Sequence, residues 1–129
     1  MVDPEREVRR LHEVIEAWFR GETDDLEPFS EALASEFELI SPDGIVSDRE
    51  AVLTGLRGGH GDDPELTIAI RNVEHRTTAG EWHPVRYEEH QSTDGGSTGR
   101  VSTAALRERT DAPAGLSWIH LQETWLPGN

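Results

Sequence analysis

Along the first twenty residues the apolar positions recur at three- and four-residue intervals (Val8, Leu11, Ile15, Trp18, Phe19), with Glu7, Arg9, Arg10, Glu13 and Glu16 mostly opposite. That period predicts an amphipathic helix of about four to five turns. Asp3 and Pro4 start it, because an Asp side chain accepts an orphan amide hydrogen and Pro has none to leave unpaired; Gly21 closes it. After Glu22-Thr23-Asp24-Asp25, a shorter helical segment carries Leu26, Phe29 and Leu33 and is expected to end near Ser35. Phe37-Glu38-Leu39-Ile40 predicts a short strand, turned by Ser41-Pro42-Asp43-Gly44 into Ile45-Val46 as a small hairpin. Ser47-Asp48-Arg49-Glu50 has the form of a capping box, with Ser47 as the cap of a helix bearing Val52, Leu53 and Leu56. Gly58-Gly59-His60-Gly61-Asp62-Asp63-Pro64 breaks that helix.

The second half changes period. Four extended runs, Leu66 to Arg76, Trp82 to Ser92, Gly99 to Arg109 and Leu116 to Trp125, are separated by turns too short for a crossover helix, which predicts a four-stranded antiparallel sheet. Helices followed by strands give an α+β fold with the first helix lying on a curved sheet. Residues 1–129 are expected to form one domain, since the chain shows neither internal repeat nor linker.

Composition narrows the partners. Acids outnumber bases 26 to 12, the net charge is −14, and all twelve bases are Arg. Phosphate backbones and anionic membranes both require a basic footprint, so neither nucleic acid nor membrane is expected as a partner. Acid excess without Lys points to a halophile, where salt screens self-repulsion, although Arg-rich codon usage explains part of the Lys deficit. There is no Cys, hence no disulfide or thiolate chemistry. No apolar run approaches the roughly 18 residues of a membrane span, and the acidic start is unlike an export signal, so a cytoplasmic location is expected.

The order of two helices, "FELISPDGIVSDREAVLTGLR", and long strands ending in "LSWIHLQETWLP" resembles the nuclear transport factor two-like, or SnoaL-like, superfamily, and most of all its small single-domain members of unassigned function. The Ser41-Pro42-Asp43-Gly44 turn, the Ser47 helix start and the final strand with Trp118, His120, Glu123 and Thr124 carry the likeness, which covers nearly the whole chain. The resemblance implies a cone-like fold: N-terminal helices packed on a strongly curved antiparallel sheet, a cavity between them, and a homodimer through the sheet. It implies no cofactor and no single activity.

If the strands alternate, Val85, Tyr87, Glu89 and Gln91 share a face, and on the last strand Leu116, Trp118, His120, Gln122 and Thr124 oppose Ser117, Ile119, Leu121, Glu123 and Trp125. From the resemblance, Tyr87, Glu89, Gln91, His120 and Gln122 face the cone. Glu89 and His120 are then the acid/base candidates, the first because an apolar cone raises a carboxyl pKa and the second because imidazole titrates near neutrality. Tyr87 is the candidate to polarise a carbonyl or an oxyanion. Trp18, Phe37, Gln91, Trp118 and Gln122 are the expected lining. Mutual satisfaction of Tyr87, Glu89 and His120 in a partly polar core is the competing account. A catalytic Tyr of the ketosteroid-isomerase kind is expected in the first helix, where this chain has Trp18 and Phe19.

No metal is expected: His12 and Glu16 share a helical face without a third ligand, and His60, His75 and His83, in a loop and flanking a hairpin, are expected to be solvated. The Gly-rich loop lacks a following Lys-Ser or Lys-Thr, and Asp62-Asp63 would repel an anion. Arg86, Arg100 and Arg107 are candidates for an anionic ligand, with internal ion pairs as the commoner role. Two functions remain open. One is binding of a small apolar or carbonyl-containing molecule, with or without cofactor-free isomerase, cyclase or dehydratase chemistry. The other is a non-enzymatic dimerising module whose sheet presents Ile119, Leu121 and Trp125.

Overall fold

The computed structural model describes residues 1–128. Helix α1 spans Pro4–Phe19, and the Asp3 carboxylate accepts the Arg6 N–H at 3.1 Å. Helix α2 is a single turn, Glu27–Ser30, and strand β1, Leu33–Ile40, begins where the helical pattern was expected to continue. Backbone pairing decides this: Trp118 donates its N–H to the Ala32 carbonyl at 2.8 Å and Leu33 pairs with Trp118, so Leu33 is buried by a strand neighbour rather than a helix face. Strand β2, Val46–Asp48, completes the expected hairpin.

Helix α3 spans Arg49–Gly58. Its cap is Asp48, not Ser47: the Asp48 carboxylate accepts the Ala51 N–H at 2.9 Å, while Ser47 is still paired with Leu39 in the hairpin. Four strands follow, β3 (Thr67–Glu74), β4 (Trp82–Thr93), β5 (Gly96–Glu108) and β6 (Leu116–Trp125).

These four runs form the expected antiparallel meander, but the sheet has six strands in the order β2-β1-β6-β5-β4-β3, because the early hairpin adds to the free edge of β6. The β1–β6 pairing is parallel. One irregularity governs the site. On β5, Ala105 and Leu106 are consecutive, but their β6 partners are His120 and Trp118, leaving Ile119 as an extra residue. This β-bulge resets which side chains face inward. Upstream Trp118 points to the helices; downstream Leu121 and Glu123 do so, and both are buried.

Helix α1 places Val8 and Leu11 on the inner face of the sheet against Val85, Tyr87, Leu106 and Trp118, all 2% exposed or less. Helix α3 closes a second side with Leu53. Among the described residues no helix is long and apolar enough to cross a membrane.

Candidate functional site

Between α1, α3 and the inner face of the sheet lies a cavity of about 320 Å3. Its walls are apolar: Leu11, Ile15 and Phe19 from α1, Val52 and Leu56 from α3, and Phe37, Leu39, Trp118 and Leu121 from the sheet. Gly55, a helical residue with no atom near the position a Cβ would take, leaves room on the α3 side. One end is polar, formed by His12, Glu89, Gln91, Arg100 and Glu123.

The polar end is an ordered network. His12 Nδ1–H donates to the Val8 carbonyl at 2.8 Å, which aims Nε2 at Glu89 Oε1, 3.2 Å away. Gln91 Nε2 donates to the other Glu89 oxygen at 2.6 Å. Across the sheet Arg100 pairs with Glu89 in register and its Nη1 donates to Glu123 Oε1 at 3.1 Å. The Trp125 ring lies beneath the guanidinium, 4.8 Å from centroid to Cζ. Behind the wall, fully buried Glu7 accepts the Trp118 indole N–H at 2.9 Å and is held by Arg10 at 2.6 Å, which locks the indole in place.

Burial would favour the neutral forms of both His12 and Glu89. For Glu89, burial pushes the pKa up, but the His12 charge, the hydrogen bonds from His12 and Gln91 and the Arg100 charge outweigh it and bring the carboxyl down to about 2. For His12, burial pushes down, and the Glu89 charge and hydrogen bond, the Val8 carbonyl and the Glu123 charge overcome it, so the imidazole is raised. Each thus favours the charged form of the other, and the pair is a buried imidazolium–carboxylate contact whenever His12 carries its proton. Glu123 goes the other way, raised by burial and by Glu89 despite Arg100. Tyr87 is raised well above its ordinary value by burial and by Glu89 and Glu123.

The sequence-derived site residues separate into two groups. Glu89, Gln91, Phe37 and Trp118 meet at the cavity. Tyr87 lies under it, fully buried, its hydroxyl without a hydrogen-bond partner among the described residues. His120 and Gln122 are corrected: the Ile119 bulge turns both to the outer face, where His120 stands 3.6 Å from Glu38 and Gln122 is exposed. Trp18 is also displaced from the expected lining; its indole N–H caps the Leu56 carbonyl at 2.6 Å and its ring meets His60. The raised pKa expected for Glu89 is reversed by His12. Glu16 shares no ligand role with His12, since it accepts the Ile68 N–H at 2.7 Å. Arg86 and Arg107 are engaged by Glu74 and Glu81. The proposed interface set also changes, because Leu121 faces the cavity.

Three residues of the network, His12, Arg100 and Glu123, stood outside the expected acid/base set. His12 carried a signal: it sits between Leu11 and Ile15 on the apolar stripe of α1, where a polar residue requires a buried partner.

The model of the sucrose-6-phosphate phosphohydrolase C-terminal family matches residues 4–127. The chain belongs to that family. A probable sucrose-phosphatase 2 of Arabidopsis thaliana is similar to it, 25% identical over 131 aligned positions covering 96% of this chain and 30% of the plant protein. The domain thus spans about a third of that relative's length. Among solved structures, an NTF-2 like protein of unknown function from Pseudomonas aeruginosa is 29% identical, with a TM-score of 0.88 over 95% of this chain and 97% of that one. A CaMKII hub from S. rosetta, 12% identical with a TM-score of 0.71, covers 94% of this chain and 95% of its own. A putative calcium/calmodulin-dependent protein kinase type II association domain from Thiobacillus denitrificans, 17% identical with a TM-score of 0.72, covers 98% and 97%. The domain therefore has the NTF2-like cone fold expected from its sequence.

Proposed function

We propose that the domain binds a small neutral molecule in the cone cavity, with the ligand's apolar face against Phe37, Leu39 and Trp118 and its hydroxyl or carbonyl groups at the Gln91–Arg100–Glu123 end. The observation that carries this reading is the pairing of a 320 Å3 apolar chamber with a polar end in which two basic groups, His12 and Arg100, stand against two acidic ones, Glu89 and Glu123. Mostly apolar walls with a few convergent polar groups are the usual form of a small-molecule site. Glu89, with a pKa of about 2, is too weak a base for proton abstraction and acts as a fixed charge. Glu123, raised and lining the cavity, is the group with an acid/base role open to it.

The family name makes sucrose the first neutral ligand to test, followed by apolar ketones and alcohols, with sucrose 6-phosphate as the charged comparison that this site should not prefer. A binder of the native state raises the melting temperature with its concentration. The gain is expected in the wild type and lost in Gly55→Phe, which fills the chamber from α3. A ligand whose gain survives Gly55→Phe binds elsewhere and overturns the assignment. A second reading, self-assembly through the outer sheet face, is favoured by the hub and association domains among the similar structures. A monomeric mass by sedimentation in molar salt would remove it.

A further inference from the structure

The hairpin histidines expected to be solvated are not both so. His83, the second residue of β4, is 5% exposed, and the chain leaving β3 brings exposed His75 against it. His83 Nδ1 and His75 Nε2 stand 3.1 Å apart. Thr78 Oγ1 lies 3.2 Å from that His75 nitrogen and 3.4 Å from that of His83. On the far side of the His83 ring, Glu108 Oε2 accepts the Nε2–H at 2.7 Å. That bond leaves the lone pair of His83 on Nδ1, directed toward His75 and Thr78, in the way carboxylates orient metal-binding histidines.

The three donor atoms form a triangle with edges of 3.1, 3.2 and 3.4 Å. Four ligands placed tetrahedrally about 2.0 Å from a zinc ion are separated by about 3.3 Å, so the triangle has the size of one face of that tetrahedron. Two imidazoles aimed at such an ion hold their ring centroids about 5 Å apart. Here the centroids are 5.1 Å apart.

We propose that His75 Nε2, His83 Nδ1 and Thr78 Oγ1 bind a divalent first-row transition-metal cation of the zinc type, with Glu108 as the positioning carboxylate. The fourth position opens to a surface hollow bordered by Val2 and Asp3. Imidazole nitrogens select zinc, copper or nickel over magnesium and calcium, which require oxygen cages. No three His, Cys, Asp or Glu side chains among the described residues are grouped to hold a metal, so this site rests on two imidazoles and a hydroxyl. A neutral third ligand and an exposed His75 make it an exchangeable site, separate from the cavity network.

The test is calorimetric titration of the full chain with zinc sulfate at pH 7.5, in a non-chelating buffer with excess magnesium to occupy surface carboxylates. One zinc per chain is expected. His75→Ala, at an exposed position that leaves the fold intact, should weaken it at least 10-fold, and Glu108→Gln about 10-fold, the range for losing an outer carboxylate. Long-range 1H–15N spectra should show zinc on Nδ1 of His83 and Nε2 of His75. Zinc uptake unchanged in His75→Ala would place the ion on the acidic surface and overturn the proposal. Absence of uptake by the wild type would overturn it as well, leaving a ring-to-ring hydrogen bond as the explanation of the contact.

Discussion

A carboxylate among aromatic rings ordinarily gives up its charge, and Glu89 keeps it because His12 reaches it from another element. Breaking one partner of such a pair leaves an uncompensated buried charge, at a cost of about 3–5 kcal/mol. His12→Leu should therefore destabilise the domain by that order in chemical denaturation. The double variant His12→Leu/Glu89→Leu should lose less than the sum of its singles, because apolar replacement of both partners removes the stranded charge. The pair also sets a pH profile. His12, raised above 6.5, contributes fully below that value and loses its contribution as pH rises through its folded pKa. Glu89, lowered from 4.5 to about 2, contributes above 4.5 and loses its contribution as pH falls toward 2. Melting temperature is thus expected to be greatest between about pH 4.5 and 6.5, with both slopes flattened in the double variant.

Elements explain what the cavity is made from and how far the sequence disclosed it. Gly55 lies in α3 with nothing near the place of a Cβ, so Gly55→Ala should stabilise the domain by about 1 kcal/mol, read as a higher denaturant midpoint. The strands β3 to β6 and the helix α1 are legible because each is a long run bounded by clear turn residues, and alternation correctly puts Val85, Tyr87, Glu89 and Gln91 of β4 on one face. Alternation failed on β6. Ile119 is chemically an ordinary strand residue, and nothing in the sequence marks it as the unpaired one; its bulge appears only when β5 is laid alongside. That single residue moved His120 and Gln122 out and brought Glu123 in. The end of α2 was illegible for a related reason: Leu33 fits a helical pattern, and only its pairing with Trp118, 85 positions away, makes it a strand.

At the scale of the whole molecule the charge of −14 is spread over exposed side chains such as Glu5, Glu22, Asp24 and Asp111, whose side chains are 53, 57, 95 and 83% exposed. Where bases are near, they form surface pairs that contribute little each. The excess acid is repulsive, and salt screens it within about 10 Å at 0.1 M. Melting temperature is expected to rise from dilute buffer to molar salt; a flat or falling trend would rule out salt adaptation as the reason for the composition.

The parallel β1–β6 pairing has a consequence for synthesis. Residues 116–125 occupy the middle of the sheet, between β1 and β5. Until they have left the ribosome, the chain holds two pieces whose strands are not paired with each other, the β1–β2 hairpin with its helices and the β3–β5 meander, joined through the packing of α1 on β3 and β4. Each piece bares an unpaired strand edge in that interval, the kind of exposed edge that invites pairing with another chain. The domain therefore completes its fold only after its last strand is released, and the cavity, whose walls come from both pieces, is assembled in that same final step.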